Sequence, residues 1–536
     1  MKRSRKLHEA IFSARTARFR KSDMASHAPA PTAGMQHRTS FAVSTLGGVT
    51  GVKMGTAAGR WVLLATVLGS GLVMIDGTVV NVALPHMGAD LGAGFAELQW
   101  IVNAYTLTLA SLILLGGSLG DHYGRRRVFL IGVVWFAVSS AACGFAPTSE
   151  VLIAARALQG VGGALLTPGS LALISASFDG TDRGAAIGAW SGLGGIAAAI
   201  GPFLGGFLVE WNWRAVFLIN VPLAAVVVAV TWRRVPESRD PNAPPGLDIT
   251  GAALAAVGLG TLTYGLTELG EHGASSAAVT SVAAGVLALV AFVVVERRSA
   301  HPLVSPKLFA DRSFGVANVI TLLIYGALGA VFLLLVLQLQ TVAGFSPVAA
   351  GTALLPFTAV MLAFSSRAGA LASRIGPRVP MTVGPLITAA GLLLMIRIDA
   401  DASWIVDVAP ATLVFGAGMV LVVAPLTATV LDSAPATMAG SASGVNNAVA
   451  RAGGLLAVAV LPGVAGISGA DYADPVAFSA GFHVAVLISA GLMILAAVLA
   501  AIGIRRPAQP PERIAVENCT TCAISTLPAH PTTDSS

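Results

Sequence analysis

The chain has 536 residues, 55% of them hydrophobic and only 11% charged, with a mean hydropathy of +0.79. That balance excludes a string of soluble domains and places most of the chain in lipid. The net charge of +6 then concerns orientation in the membrane and not nucleic acid, and three cysteines, Cys143, Cys519 and Cys522, provide no disulfide framework.

Residues 1–59 are basic and poor in apolar residues, led by Lys2, Arg3, Arg5 and Lys6. No apolar stretch precedes Trp61, so a cleaved signal peptide is not expected. The segment reads as a disordered cytoplasmic tail. Two other readings stand beside it: a tail that touches anionic lipid, and a start at Met54, just ahead of the first apolar run.

A spanning helix needs about 20 mostly apolar residues, and fourteen segments qualify. Six, at 61–84, 98–119, 128–146, 150–177, 184–209 and 214–231, predict an N-terminal bundle over 60–232. A linker at 233–248 leads to two further helices at 249–269 and 277–295, an inserted pair within 249–296, followed by a linker at 297–313. Six more, at 315–341, 347–372, 380–397, 406–430, 437–464 and 479–504, predict a C-terminal bundle over 314–505. Residues 506–536 read as a disordered cytoplasmic tail, where one CxxC, Cys519 and Cys522, is half of a zinc ligand set and predicts no metal. The fold class is therefore all-α membrane protein.

Alternate loops hold Arg125–Arg127, Arg183, Arg233, Arg234, Arg239, Arg297, Arg298, Lys307, Arg312, Arg374 and Arg378, while the loops between them hold almost none. By the positive-inside rule both termini are cytoplasmic. The segment GSLGDHYGRR at Gly117–Arg126 realigns with GALASRIGPR at Gly369–Arg378, an offset of 252, and Gly184 and Gly188 realign with Gly440 and Gly444 at an offset of 256. Two parallel halves of six helices, set about an axis along the membrane normal, are how a transporter of two rocking bundles is built.

Several residues stand out before any family is considered. Asp76 lies about fifteen residues into the first segment, or about 23 Å deep at 1.5 Å per residue, where an isolated carboxylate is expensive. Burial disfavours its charge, so it is a candidate to take up a proton; hydrogen bonds from Thr78 or Asn81 are the structural alternative. Arg156 reaches a similar depth from the other side and either pairs with Asp76 or snorkels outward. Arg451, near the middle of segment 13, fits three readings equally: holding a proton's counter-charge, binding an anionic substrate, or capping a carbonyl. Asn103, Tyr105, Gln338 and Gln340 sit on apolar helices and either line a cavity or satisfy a neighbouring helix. Glu268, Glu271 and His272 read as an exposed loop.

GSLGDHYGRRR, together with RALQGVGGALLTP at Arg156–Pro168 and GLGGIAAAIGPFLGG at Gly192–Gly206, resembles the major facilitator superfamily. DGTVVNVALP at Asp76–Pro85 and WNWRAVFLINVP at Trp211–Pro222 are similar to its fourteen-helix drug:proton antiporter branch. The resemblance runs from about Arg60 to Arg506 and implies the major facilitator fold. It implies that Asp121, with Gly117, Gly124, Arg125 and Arg126, latches the cytoplasmic side shut in the outward-open state. His122 and Ser373 depart from the pattern, the latter leaving the second-half copy without an acid. It further implies that Asp76 and Arg156 serve proton coupling or substrate attraction, and that Gly192, Gly195, Gly201, Pro202, Gly205 and Gly206 form a seam between bundles typical of exporters.

No enzyme signature is present, and no phosphate-binding loop supplies ATP drive. The expectation is a monomeric antiporter in the cytoplasmic membrane, without cofactor, that exports small amphiphilic molecules (drugs, antibiotics or dyes) in exchange for protons. Its partners are then a small-molecule substrate, protons and the lipid bilayer. The alternatives are a transporter of one endogenous metabolite and a transport-incompetent membrane sensor.

Overall fold

The computed structural model describes residues 52–504, apart from 179, 241–245, 300, 436–437, 470–471 and 473, with the backbone alone at 180, 181, 191, 198 and 199. The stretch 1–51 and the tail from 505 on, with Cys519 and Cys522, lie outside the described residues. Among the described residues there is no strand, and fourteen helices are long and apolar enough to cross a bilayer.

In chain order α1 is Ala57–Leu91, α2 Phe95–Tyr123, α3 Arg125–Gly144 and α4 Ser149–Ser177; α5 is Gly180–Trp211, α6 Ala215–Arg234, α7 Ile249–His272 and α8 Ser276–Arg298. The second half runs α9 Arg312–Val342, α10 Pro347–Ile375, α11 Arg378–Arg397, α12 Trp404–Asp432, α13 Ala439–Val464 and α14 Pro475–Gly503. Helices α1–α6 pack on one another, as do α9–α14, so the protein is two six-helix bundles with α7 and α8 inserted between them in sequence.

Polar residues set where these apolar runs begin. Thr56, Thr148, Asp248, Ser275, Asp311, Ser346 and Asp474 each accept a backbone N–H from the first turn of α1, α4, α7, α8, α9, α10 and α14. Each cap satisfies a donor that has no partner within its own helix, worth about 0.5–2 kcal/mol. The α2–α3 turn is made by Gly124 at φ +110° and its repeat copy, between α10 and α11, by Gly376 at φ +85°; an L side chain is strained at both. That equivalence is the internal repeat expressed in backbone geometry.

Burial separates the roles of the helices. In its most apolar stretch α9 is 67% buried and α8 11%, so α9 is a core strut of the second bundle and α8 faces lipid over most of its surface. Helix α7 joins α8 to the rest by packing against both α2 and α13. A Cβ on Gly270 of α7 would stand 3.0 Å from Gly463 Cα of α13, and Trp100 of α2 lies beside Tyr264 of α7 with ring centroids 6.5 Å apart. Small residues at such crossings let backbones approach, which is the main source of helix association in lipid.

One expected boundary shifts. Residues 52–59, read from sequence as part of the tail, are tied down: Val52 N donates to Ser177 O at 2.7 Å and Met54 N to Asp182 Oδ2 at 3.1 Å. These bonds fasten the lead-in of α1 to the junction of α4 and α5, because its backbone N–H groups find acceptors there.

Candidate functional site

Five helices of the first bundle converge on Asp76. Arg156 Nη1 of α4 donates to Asp76 Oδ2 of α1 at 2.6 Å, with the two side chains 1% and 0% exposed. Gln159, three residues on, donates through Nε2 to Asp76 Oδ1 at 2.9 Å and to Ser140 Oγ of α3 at 3.1 Å. Asn220 Nδ2 of α6 reaches the same Oδ1 at 3.2 Å and Ser140 Oγ at 3.0 Å. Ser140 Oγ in turn donates a hydrogen bond to Phe217 O at 2.9 Å.

Arg156 is equally enclosed. Its Nη1 donates to Gln159 Oε1 at 2.7 Å and its Nε to Ile101 O of α2 at 3.1 Å. The guanidinium lies 4.2 Å from the centre of the Tyr105 ring and 5.7 Å from that of Phe217. The site is therefore a charge-balanced network, closed to water, whose carboxylate accepts three side-chain donors. Taking up a proton on Asp76 would cancel one charge and leave Arg156 with no counter-charge inside the bundle, so protonation and the crossing of α1 with α4 are physically coupled.

Sequence reasoning brought Asp76 and Arg156 forward and missed Gln159, Ser140 and Asn220. Each is one polar residue on an apolar helix, and only the tertiary crossing brings them together. Asn220 also sits where α6 is interrupted, between Ala215–Leu218 and Asn220–Arg234. Neither of the alternative partners of Asp76 is used: Thr78 Oγ1 donates to Met74 O and Ile75 O, and the carboxylate's side-chain donors are Arg156, Gln159 and Asn220, not Asn81.

The residues expected to line a cavity diverge. Gln338 is fully buried and donates to Ile398 O at 2.8 Å and Ser479 Oγ at 2.9 Å, so it fastens α9 to α11 and α14 and lines nothing. Gln340 Nε2 donates to Val82 O at 2.9 Å, a bond from the second bundle to the first. Asn103 is buried with both amide atoms unpartnered, and the Tyr105 hydroxyl is likewise unpartnered. Arg451, partly exposed, stands 12 residues from Ala439 and 13 from Val464 at the middle of α13. It lies within electrostatic reach of the Tyr105 and Tyr325 hydroxyls. Glu268 pairs with His272 at 3.2 Å at the end of α7.

The glycine segment of α5 divides into two parts. A Cβ on Gly201 would collide with Thr78 Oγ1, one on Gly205 would lie 3.1 Å from Val79 Cα, and one on Gly206 would lie 2.7 Å from Val348 Cα of α10. Across the same contact a Cβ on Gly351 would strike Pro202 O. Gly192 and Gly195, nearer the other end of α5, would meet nothing within 4 Å, and neither would Gly184, Gly188 or Gly440. The structure thus brings Pro202 and Gly206 against α10 of the other bundle, packs Gly201 and Gly205 on α1 of their own bundle, and leaves Gly192 and Gly195 out of both contacts.

The bundles meet at the face opposite the arginine-rich loops. There Gln99 Nε2 of α2 donates to Val458 O of α13 at 2.9 Å, and Phe95 stacks on Tyr472 with centroids 5.7 Å apart. Helices α2 and α13 stay in touch further along, where a Cβ on Gly444 would lie 2.8 Å from Leu114. Toward the arginine-rich face α5 has open space at its glycines, and α10 is exposed over most of 362–375.

At that face Asp121 bonds within its own half. Arg125 donates to Asp121 Oδ1 through Nε at 2.8 Å and Nη2 at 2.7 Å. The linker after α6 lies over the turn: Glu237 accepts Arg126 N at 3.0 Å and Arg127 N at 3.2 Å, Arg125 N donates to Ser238 O at 2.9 Å, and Asp240 N donates to Asp121 O at 3.3 Å. Gly124 is needed here for room as well as for its φ, since a Cβ would fall 2.9 Å from the Glu237 carboxylate. Gly117 faces Pro168 of α4 at 3.5 Å by the same measure.

The multidrug resistance protein Stp of Mycobacterium tuberculosis is 37% identical over 405 residues, covering 75% of each chain. The cephamycin export protein of Amycolatopsis lactamdurans is 38% identical over 401 residues, covering 74% of this chain and 82% of its own. An auto-inhibited peptide transporter of the POT family has the same fold at a TM-score of 0.62, with 16% identity over 84% of this chain and 99% of its own. Residues 66–458 match the family model described as Major Facilitator Superfamily, and with relatives of that identity and coverage the chain belongs to this superfamily.

Proposed function

We propose that this chain exports small amphiphilic molecules, drugs, antibiotics or dyes, across the cytoplasmic membrane by alternating access, in exchange for protons moving inward. The observation that carries the reading is the sealed Asp76–Arg156 network in one half of a protein whose relatives are named for drug resistance and export. A buried carboxylate that is fully satisfied when ionised offers one group whose protonation changes the packing of α1, α4 and α6 together. No cofactor enters this scheme; the drive is the proton gradient.

The arginine-rich face is the cytoplasmic one on this reading, by the charge bias of the loops. The conformation with α5 and α10 joined at Gly206 and Val348 and with open space at Gly192 is then open to the cytoplasm, where substrate loads. Asp121, bonded in this state to Arg125 and the linker, is free to engage the other half when that side closes. Both termini lie in the cytoplasm, and one chain carries a complete set of bundles, so a monomer suffices.

A narrower reading, export of one metabolite made by the same cell, is favoured by the relative named for cephamycin alone. Substrate accumulation in everted membrane vesicles tests both. Proton-driven uptake of several unrelated dyes that Asp76→Asn abolishes supports the broad reading; uptake of a single compound supports the narrow one. Unchanged proton-coupled uptake by Asp76→Asn removes Asp76 from the coupling step.

A further inference from the structure

The charges inside the transmembrane region are few enough to account for one by one. Among the described residues, four Asp, Glu, Lys or Arg side chains lie more than five residues from both ends of a span: Asp76, Arg156, Arg367 and Arg451. The first two neutralise each other and are closed to water. Arg367, toward the arginine-rich end of α10, bends back to donate to Ala363 O at 2.7 Å. Arg451 is different: it is partly exposed at mid-depth, and among the described residues its guanidinium has neither a hydrogen bond nor an ion pair.

Its position is between the bundles. Arg451 belongs to the second half, yet it lies within electrostatic reach of Tyr105 on α2 of the first half as well as Tyr325 on α9. The Tyr105 hydroxyl, in a side chain 2% exposed, has no hydrogen-bond partner of its own. An unpaired, partly exposed cation thus stands at the middle of the membrane, on a helix that packs against α2 of the other half, where such a charge is costly to maintain. Among the described residues no accessible carboxylate stands at that depth to receive a cationic molecule, because the one acid there is Asp76 and it is sealed.

We propose that Arg451 binds the acidic group of the transported molecule, and that the preferred substrates are amphiphiles bearing a carboxylate or an equivalent anion. This rests on the export reading and names its substrate class. A guanidinium presents a planar fork that matches a carboxylate with two parallel hydrogen bonds. The apolar remainder of the molecule is accepted by the apolar helices around it. Arg451 is on α13, which packs against α2 of the other half, so an anion paired with it lies beside the meeting of the two bundles, which ties occupancy to their relative movement.

The test uses the full-length protein and three probes with one apolar body: pyrenebutyric acid, its methyl ester and pyrenebutylamine, measured at pH 7.5 by fluorescence polarisation. Wild type is expected to bind the acid on the order of tenfold more tightly than the ester, and the amine most weakly. Arg451→Ala binds acid and ester alike, Arg451→Lys keeps the preference for the acid, and Arg451→Glu transfers it to the amine. Comparing variants against wild type cancels partition of the probes into micelles. Wild type that binds the ester or amine as tightly as the acid, or binds none of the three, overturns the proposal even if a variant does not fold; so does Arg451→Ala with the wild-type preference intact. Flux in proteoliposomes separates this from the export reading: transport of the amine without selective binding of the acid sinks the role of Arg451 and leaves export standing. Selective binding of the acid with no flux of any probe does the reverse.

Discussion

Gln159 Nε2 and Asp76 Oδ1 lie 2.9 Å apart, joining α4 to α1 beside the 2.6 Å contact that Arg156 makes with the other carboxylate oxygen. The ion pair is therefore one edge of a network, and removing either charge strands the other in a place without water. Asp76→Asn and Arg156→Gln are each expected to lower stability by about 3–5 kcal/mol. The double variant, which leaves no buried charge, regains a large part of that loss. Thermal unfolding of the purified protein in detergent measures all three; simple addition of the two losses in the double variant would show that the side chains do not interact energetically.

Gln159 and Asn220 share their two acceptors, Asp76 Oδ1 and Ser140 Oγ. Replacing one of the two amides leaves the carboxylate oxygen with the other donor. Gln159→Leu and Asn220→Leu should therefore each cost about 1–3 kcal/mol, less than loss of either charge. Because they disturb the placement of Asp76 without removing it, dye uptake in everted vesicles should be slowed and remain proton-driven. Uptake that becomes independent of the proton gradient in Gln159→Leu would assign that amide a direct part in coupling.

The linker contact on the arginine-rich face allows a local measurement. Glu237 accepts two N–H groups at the start of α3, from Arg126 and Arg127, and so acts as a cap supplied from 110 to 111 residues away along the chain. Glu237→Ala is expected to cost about 1 kcal/mol. Hydrogen exchange should quicken by roughly fivefold at Arg126, Arg127 and the linker residues 235–240, with exchange around Asp76 unchanged. Uniform acceleration over the whole first bundle would instead make this strap a global element of stability.

The fourteen spans were legible in the sequence because length and apolar content suffice to define them: the expected 98–119, 249–269 and 437–464 lie within a few residues of α2, α7 and α13. Charge contrast likewise singled out Asp76, Arg156 and Arg451. The network that encloses the first two was not legible, since Gln159, Ser140 and Asn220 belong to three helices and share no period or spacing. Glu237 was hidden for a related reason, lying in a linker whose fold depends on the turn it covers. Gln338 was ambiguous in the other direction: a polar residue on an apolar helix either lines a cavity or bonds a neighbouring helix, and here the carbonyl of Ile398 and the hydroxyl of Ser479 take up its N–H groups.

The division of the α5 glycines gives the most discriminating experiment on conformational change. Gly206 and Gly351 have no room for a side chain, because Val348 and Pro202 of the facing helices occupy it. Gly192 and Gly195 have room in this conformation, so side chains there are accommodated as long as the arginine-rich side stays open. Gly206→Leu should force α5 from α10, lowering stability by about 1–3 kcal/mol and weakening the join on the far side. Gly192→Leu should leave the melting temperature within about 1 °C of wild type, since an added side chain that meets nothing neither gains nor loses packing. If the bundles close over Gly192 during transport, that same variant loses dye export while remaining folded and able to bind its substrate. Loss of export together with an unchanged melting temperature and unchanged probe affinity therefore identifies Gly192 as part of the closed state; full activity in Gly192→Leu would mean that closure never brings a partner to this part of α5.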